Sequence, residues 1–400
     1  MKRQYLVTER AHFMCPNMHF GMQLKMKKPF NMQSVEMTLN RMAEAHPFLK
    51  SLIAYEEGTN RLYYHITDSS QIQLLIRQDE NTMWDDYDNI SKQEWDVMKQ
   101  GLLKVFIYPN TDSMTILFII HHLLVDGRGG LEIATEFAND YMGNIPPLYV
   151  EEQLIQSIED LPEQSAISGI NKFIIKQANR RWKKEKHFVS YETYLEFVKK
   201  LNENLTIKHK VYELQTSEVA GMVQLCHEHG ITMNDYLMAC MYQKANTKNI
   251  IIAFDIRNRI KVYRTGSYGN FATAMGIAYK GKTTDLVTIA KNIHEKIQKC
   301  MNQNNVLMLV LACYLEMNPT LLDAAAISAL QGFQSKAGKF VGSSMFHMEK
   351  PMAYSITNLG RVDNAYMESL MFIPPASPAA KLTLGVVTLN GEMIVCSSEY

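Results

Sequence analysis

Two adjacent histidines and an aspartate four residues further on, His121, His122 and Asp126, are the side chains in this sequence best placed to do chemistry. They lie in the stretch Thr115-Ile-Leu-Phe-Ile-Ile-His-His-Leu-Leu-Val-Asp-Gly-Arg-Gly-Gly130. An imidazole titrates near neutral pH, so it can take a proton in one step and return it in the next. An aspartate in a turn, followed by Gly127 where unusual dihedrals are allowed, can bond backbone groups, orient a ring or hold a distant arginine. Two imidazoles at the end of a buried run are costly unless they find partners.

The elements that must position these groups surround them. Ile116 to Ile120 is an apolar, β-branched run with apolar residues on both faces, the pattern of a central strand covered on each side. Strand alternation puts Ile116, Phe118, Ile120 and His122 on one face and Leu117, Ile119 and His121 on the other. The rings therefore point apart, which argues against a metal-binding pair. One can be structural while the other meets solvent or substrate. Gly129 and Gly130 open a helix whose apolar face is Leu131, Ile133, Ala134, Phe137, Ala138 and Tyr141, closed by Gly143. The unpaired N–H groups at its start face the motif and can stabilise developing negative charge.

His121-His122-Leu-Leu-Val-Asp126-Gly127 resembles the HHxxxDG signature of the superfamily related to chloramphenicol acetyltransferase. Its members include CoA-dependent alcohol acyltransferases, wax-ester synthase-like enzymes and nonribosomal peptide condensation domains. Three later stretches are also similar to that superfamily. These are Gly269-Asn270-Phe271, then Thr357-Asn358-Leu359-Gly360 with Thr in place of the commoner Ser, and Thr388-Leu-Asn-Gly391 with Leu389 in place of Tyr. The Asp-Phe-Gly-Trp-Gly motif of the plant branch is absent.

The resemblance implies an α/β fold of mixed sheets, in two similar lobes meeting along an active-site tunnel. Residues 1–170 would form the first lobe, 171–205 a connector and 206–400 the second lobe. It makes His122 the general base that takes a proton from an alcohol or amine attacking a thioester, with His121 structural. Asp126 is the second candidate catalytic residue, more an organiser of the Gly127 turn than a proton carrier. It is expected to pair with an arginine of the second lobe, for which Arg257 fits best and Arg259 is the reserve. Asn270, Thr357 and Asn358 are the expected substrate-binding residues. The leading expectation is an acyl-CoA-dependent O-acyltransferase, with acyl-CoA as co-substrate, no tightly bound cofactor and no metal. The alternative is a free-standing condensation enzyme whose donor is a phosphopantetheine thioester on an acyl or peptidyl carrier protein. A catalytically silent binding module is the remaining reading.

Composition bounds the rest. The 400 residues are 46% hydrophobic and 20% charged, which is a globular balance. Forty-one basic residues offset forty-one acidic ones, so no net field favours nucleic acid or an anionic membrane as the main partner. Six scattered cysteines without a CxxC pair, and no apolar run behind Met1-Lys-Arg-Gln-Tyr, point to a cytoplasmic protein with reduced thiols. The longest apolar run, Val306 to Leu315, is too short to span a bilayer. Arg10, His12, Cys15 and His19 fit no metal-ligand spacing, and Cys226-His-Glu-His229 does not converge on one point.

Several elements are expected along the chain. Asn31 or Ser34 caps a helix that ends before Pro47. The acidic segment Asp79–Asp88 reads as a solvated loop. Lys172–Lys186, with seven basic residues against one acidic, reads as a solvated helix face or a landing site for CoA phosphates or an acidic carrier. A helix is expected from Thr284 to Met301, and a strand from Met352 to Ile356.

Overall fold

The computed structural model describes residues 3–245, 247–349 and 353–399. In chain order the strands are β1 (His19–Met26), β2 (Ser51–Tyr55), β3 (Leu62–Ile66), β4 (Gln73–Ile76), β5 (Leu103–Pro109), β6 (Met114–His121) and β7 (Lys208–Leu214). They continue as β8 (Asn249–Asp255), β9 (Ala272–Ala278), β10 (Tyr354–Val362), β11 (Ser369–Ile373), β12 (Leu382–Leu389) and β13 (Glu392–Glu399). One sheet has the order β11-β1-β6-β5-β4, another the order β7-β13-β12-β10-β8-β9, and β2 pairs with β3 alone.

The motif strand β6 is the middle of the first sheet, and both of its faces are covered. Ile116, Phe118 and Ile120 join the core that holds the helices Met32–Ala45 and Gly127–Gly143. Leu117 and Ile119 meet Met83, Tyr87 and Ile90 of the helix Met83–Lys92. That helix replaces the solvated loop expected over Asp79–Asp88. Its three apolar side chains fall at helical spacing and bury one face, while Asp86 accepts from Arg77 and Tyr108.

A second difference concerns chain division. β11 comes from near the C-terminus, yet it lies antiparallel to β1, with Gly21 opposite Ile373 and Lys25 opposite Ser369. The first sheet is therefore not made of residues 1–170 alone.

Other elements depart from the sequence by small shifts. Asn31, not Ser34, caps the first helix by accepting from Ser34 N at 2.8 Å. Asp285 rather than Thr284 caps the helix Leu286–Met301. Met352 lies outside the described residues, as do Met1 and Lys2 of the expected leaderless start; β10 begins at Tyr354 and runs through Thr357-Asn358-Leu359-Gly360 with a bulge between Asn358 and Arg361. Asn390 and Gly391, both with positive φ, form the two-residue turn between β12 and β13, as a tight hairpin requires.

Two buried charged groups tie distant segments together. Arg10, 1% exposed, donates to both carboxylate oxygens of Asp323 at 2.9 and 2.6 Å and to the carbonyl of Asn60. His46, fully buried, lies 3.1 Å from Glu152 and 3.0 Å from Glu136, and its ring stacks on Tyr268 at 3.8 Å. Glu152 also accepts from the backbone N–H groups of Phe48 and Tyr268. Burial alone would push His46 down, but hydrogen bonds to Glu136 and Glu152, and their charges, raise it to about 9.

Candidate active site

The strand ends where the chemistry begins. His122 is anchored by its own backbone, with N–H donating to Met18 O at 2.8 Å and C=O accepting from Asn270 Nδ2 at 2.9 Å. That second bond orients the Asn270 amide, because its nitrogen already serves carbonyls of His122 and Leu123. The amide oxygen is then the atom that faces His122 Nδ1, at 2.9 Å. An amide oxygen only accepts, so Nδ1 carries the hydrogen and Nε2 keeps its lone pair. Burial holds the pKa of this ring below the ordinary imidazole value, against the opposing pull of Asp126 and Asn270. His122 is thus a neutral imidazole with Nε2 as its basic atom.

The two histidines diverge as strand alternation predicts. His121 Nδ1 accepts from Leu123 N at 3.2 Å, and its ring meets Trp95 edge-on. Burial pushes its pKa down to about 3. It borders a crevice of about 60 Å³ walled by Trp95, Tyr191 and Tyr194. His122 instead contacts Phe20, edge-on at 5.5 Å, and His12, stacked at 4.4 Å.

Asp126 is a hub of the turn. Oδ1 accepts from Gly129 N at 2.8 Å and so caps the helix Gly127–Gly143; Oδ2 accepts from Phe271 N at 2.8 Å. Arg257 Nη2 lies 3.0 Å from Oδ1, and both side chains are buried. Asp255 holds the other end of the guanidinium at 2.7 Å. Arg259 turns away to Met301 O and Asn304. Of the open roles for Asp126, backbone bonding and an arginine partner are the ones present.

Gly127 lies against Leu359, Phe372 and Thr357, and Arg128 donates to Leu359 O at 2.9 Å. Thr357 therefore borders the motif turn. Asn358 spends its side-chain oxygen on Gly360 N at 2.8 Å, supporting the positive φ of that glycine. Among the three glycines of the turn, Gly130 permits the closest approach: a Cβ there would lie 2.5 Å from the Phe20 ring that backs His122.

His12 is the site residue that sequence reasoning missed. It was visible only as one of four scattered Arg, Cys and His positions near the N-terminus, and nothing local links it to a motif 110 residues away. The four part company in the fold. Arg10 goes to Asp323, Cys15 is buried in a small cluster, His19 meets Ser91, and His12 stacks on His122. Glu132 was missed as well; burial raises its carboxyl to about 7 close to Arg257.

Comparison with known proteins now has a geometry to rest on. A model of the Condensation domain family matches residues 9–320, and the chain belongs to that family. Surfactin synthase subunit 1 from Bacillus subtilis (strain 168) is 31% identical over 140 residues, 32% of this chain but only 4% of that subunit. Trichothecene 15-O-acetyltransferase from Fusarium sporotrichioides aligns over 99% of this chain and 90% of its own, with a TM-score of 0.64 at 10% identity. The condensation domain from Monacolin K polyketide synthase aligns over 99% and 91%, with a TM-score of 0.60 at 11% identity. The epimerization domain from the third module of tyrocidine synthetase B aligns over 98% and 87%, with a TM-score of 0.57 at 15% identity. At such identities the likeness is one of fold: a two-lobed, mixed α/β condensation-domain architecture.

The family match overturns the leading expectation of an acyl-CoA-dependent O-acyltransferase with acyl-CoA as co-substrate. The condensation reading, carried as the alternative, takes its place. The reason for the error is chemical. CoA and a carrier protein present a thioester on the same phosphopantetheine arm, so a histidine base cannot reveal which one stands behind it. Among the described residues, no helix is long and apolar enough to cross a membrane.

Proposed function

We propose that this chain condenses an acyl or aminoacyl group, delivered as a phosphopantetheine thioester on a carrier protein, with an amine or hydroxyl acceptor. The observation that carries this reading is the His122–Asn270 pair, which leaves a neutral imidazole with a free Nε2 lone pair at the end of the motif strand. The acceptor would attack the thioester carbon as Nε2 takes its proton. Collapse of the tetrahedral intermediate would re-form the carbonyl and break the C–S bond, and the departing thiolate would take the proton back from His122. A thioester is already activated, so neither a metal nor a nucleophilic serine is needed. Asp126 and Arg257 act through the turn they hold, and Thr357 borders the substrate path in a tunnel between two lobes, the first built mainly from residues 1–170 with β11 added to its sheet and the second mainly from 206–400, joined by 171–205. The exposed basic side chains Lys176, Arg180, Arg181, Lys183 and Lys184 of the helix Gly169–Glu185 offer charge to an acidic carrier. A cytoplasmic location suits such a partner.

The test is transfer from a loaded carrier domain to amine and alcohol acceptors, followed by mass spectrometry. His122→Ala is expected to lower transfer by orders of magnitude while leaving the fold intact; transfer at the unaltered rate would overturn the assignment.

A further inference from the structure

His12 occupies a position that packing alone does not explain. It closes the short helical turn Glu9–His12, and that turn is locked from below by the buried pairing of Arg10 with Asp323 and the Asn60 carbonyl. The ring is thereby held parallel to that of His122, with 4.4 Å between centroids and 24° between planes. Burial, together with the neighbouring rings of His122 and His121, pushes its pKa well below the ordinary imidazole range. It therefore stays neutral, with one N–H donor and one acceptor nitrogen.

Other histidines of the core have work for their nitrogens. His19 meets Ser91, His46 meets Glu136 and Glu152, His121 accepts from Leu123, His122 meets Asn270, His209 meets Ser398 and Asp88, and His294 meets Asp235. Among the described residues, neither ring nitrogen of His12 has a hydrogen-bond partner within the protein, and the residue that stacks on His122 is only partly buried. A polar ring edge that makes no hydrogen bond within the protein, held against a base, is free to bond a ligand.

We propose that His12 is a second catalytic imidazole, whose N–H donates a hydrogen bond to the thioester carbonyl oxygen as negative charge builds on it. The inference rests on the condensation reading and adds the electrophilic half of the site. In the attack step, the acceptor's lone pair forms the new bond to carbon, His122 Nε2 takes the acceptor's proton, and the C=O π pair moves onto oxygen. His12 stabilises that oxyanion without giving up its proton, and the bond relaxes when the C–S bond breaks. A neutral imidazole suits the task, because it donates at working pH without adding a cation that would oppose protonation of His122.

The test compares His12→Phe, His12→Gln and His122→Ala with the unaltered chain, using a carrier-loaded donor. Phenylalanine keeps the stacked ring and removes the N–H; glutamine restores an N–H without the ring. Loss of an oxyanion donor is expected to lower kcat of His12→Phe roughly 10²–10³-fold, with KM and Tm little changed. His12→Gln should recover part of that loss. A His12→Phe variant turning over at the unaltered rate would show that the ring only packs, and a His12→Gln variant no faster than a slowed His12→Phe would show that the N–H is not what the reaction uses. If either occurs while His122→Ala is inactive, the condensation reading stands and this proposal falls. If the unaltered chain transfers nothing from any loaded carrier, the reading itself has failed and the proposal goes with it.

Discussion

Two core histidines, the partly buried His122 and the fully buried His46, are the same side chain put to opposite uses. His122 faces an amide oxygen and two aromatic rings, so burial wins and the imidazole stays neutral. His46 sits between two carboxylates, which overcome its burial and hold it protonated up to about pH 9. One environment preserves a lone pair for chemistry. The other turns an imidazole into an ionic clamp joining the end of the first helix, the motif helix and the segments carrying Glu152 and Tyr268. The partner, not the depth of burial, decides which role a histidine takes.

Four experiments would break or sharpen that contrast. The largest effect is expected from His122→Ala, where losing a general base lowers turnover roughly 10²–10⁴-fold with little change in Tm. Asp126→Ala removes the buried partner of Arg257 and leaves it only the half-exposed Asp255, and breaking a buried pair typically costs about 3–5 kcal/mol; denaturant unfolding should show that loss, and normal stability with lost activity would make Asp126 a direct participant instead. His46→Gln removes the clamp's cation and leaves two carboxylates facing each other. The pKa elevation corresponds to a stabilisation of about 3 kcal/mol, to be read as a lower urea midpoint while kcat per folded molecule stays unchanged.

The smallest effect is the pH dependence, and its sign separates the two environments. His46 is raised above its unfolded value, so its stabilisation is complete below about pH 6.5 and is lost as pH rises through about 9. His122, His121, His19 and His12 are lowered, so below about pH 6.5 the unfolded chain binds protons that the folded one does not, and stability falls with pH. Unfolding midpoints should therefore decline on both sides of neutrality. In His46→Gln the alkaline decline should flatten and the acid one should persist.

The parts of this site that follow local rules were legible in the sequence. A run covered on both faces marked β6 as central and alternation separated His121 from His122, while the family resemblance, not a local rule, pointed to the Asp126–Arg257 pair that lies at 3.0 Å. What was not legible depends on contacts between remote segments. His12 reaches His122 across 110 residues, His46 finds Glu152 across 106, and neither leaves a local pattern. The helix Met83–Lys92 was hidden by its acidic exposed face, although Met83, Tyr87 and Ile90 carried the helical spacing. The donor's carrier was misjudged because the reacting groups see only the thioester.

The placement of β11 beside β1 has a consequence for synthesis. Until residue 373 has been made, β1 presents an unpaired edge next to the motif strand, and the sheet beneath the histidines lacks its last member. A chain emerging from a ribosome would thus hold a sticky strand edge until β11 has been made. The contacts that complete this sheet are among the longest in the sequence, which favours slow closure. Release of a fragment ending before Ser369 is expected to yield aggregates rather than a working first half, so recombinant dissection of the two lobes should carry residues 369–373 along with the N-terminal part.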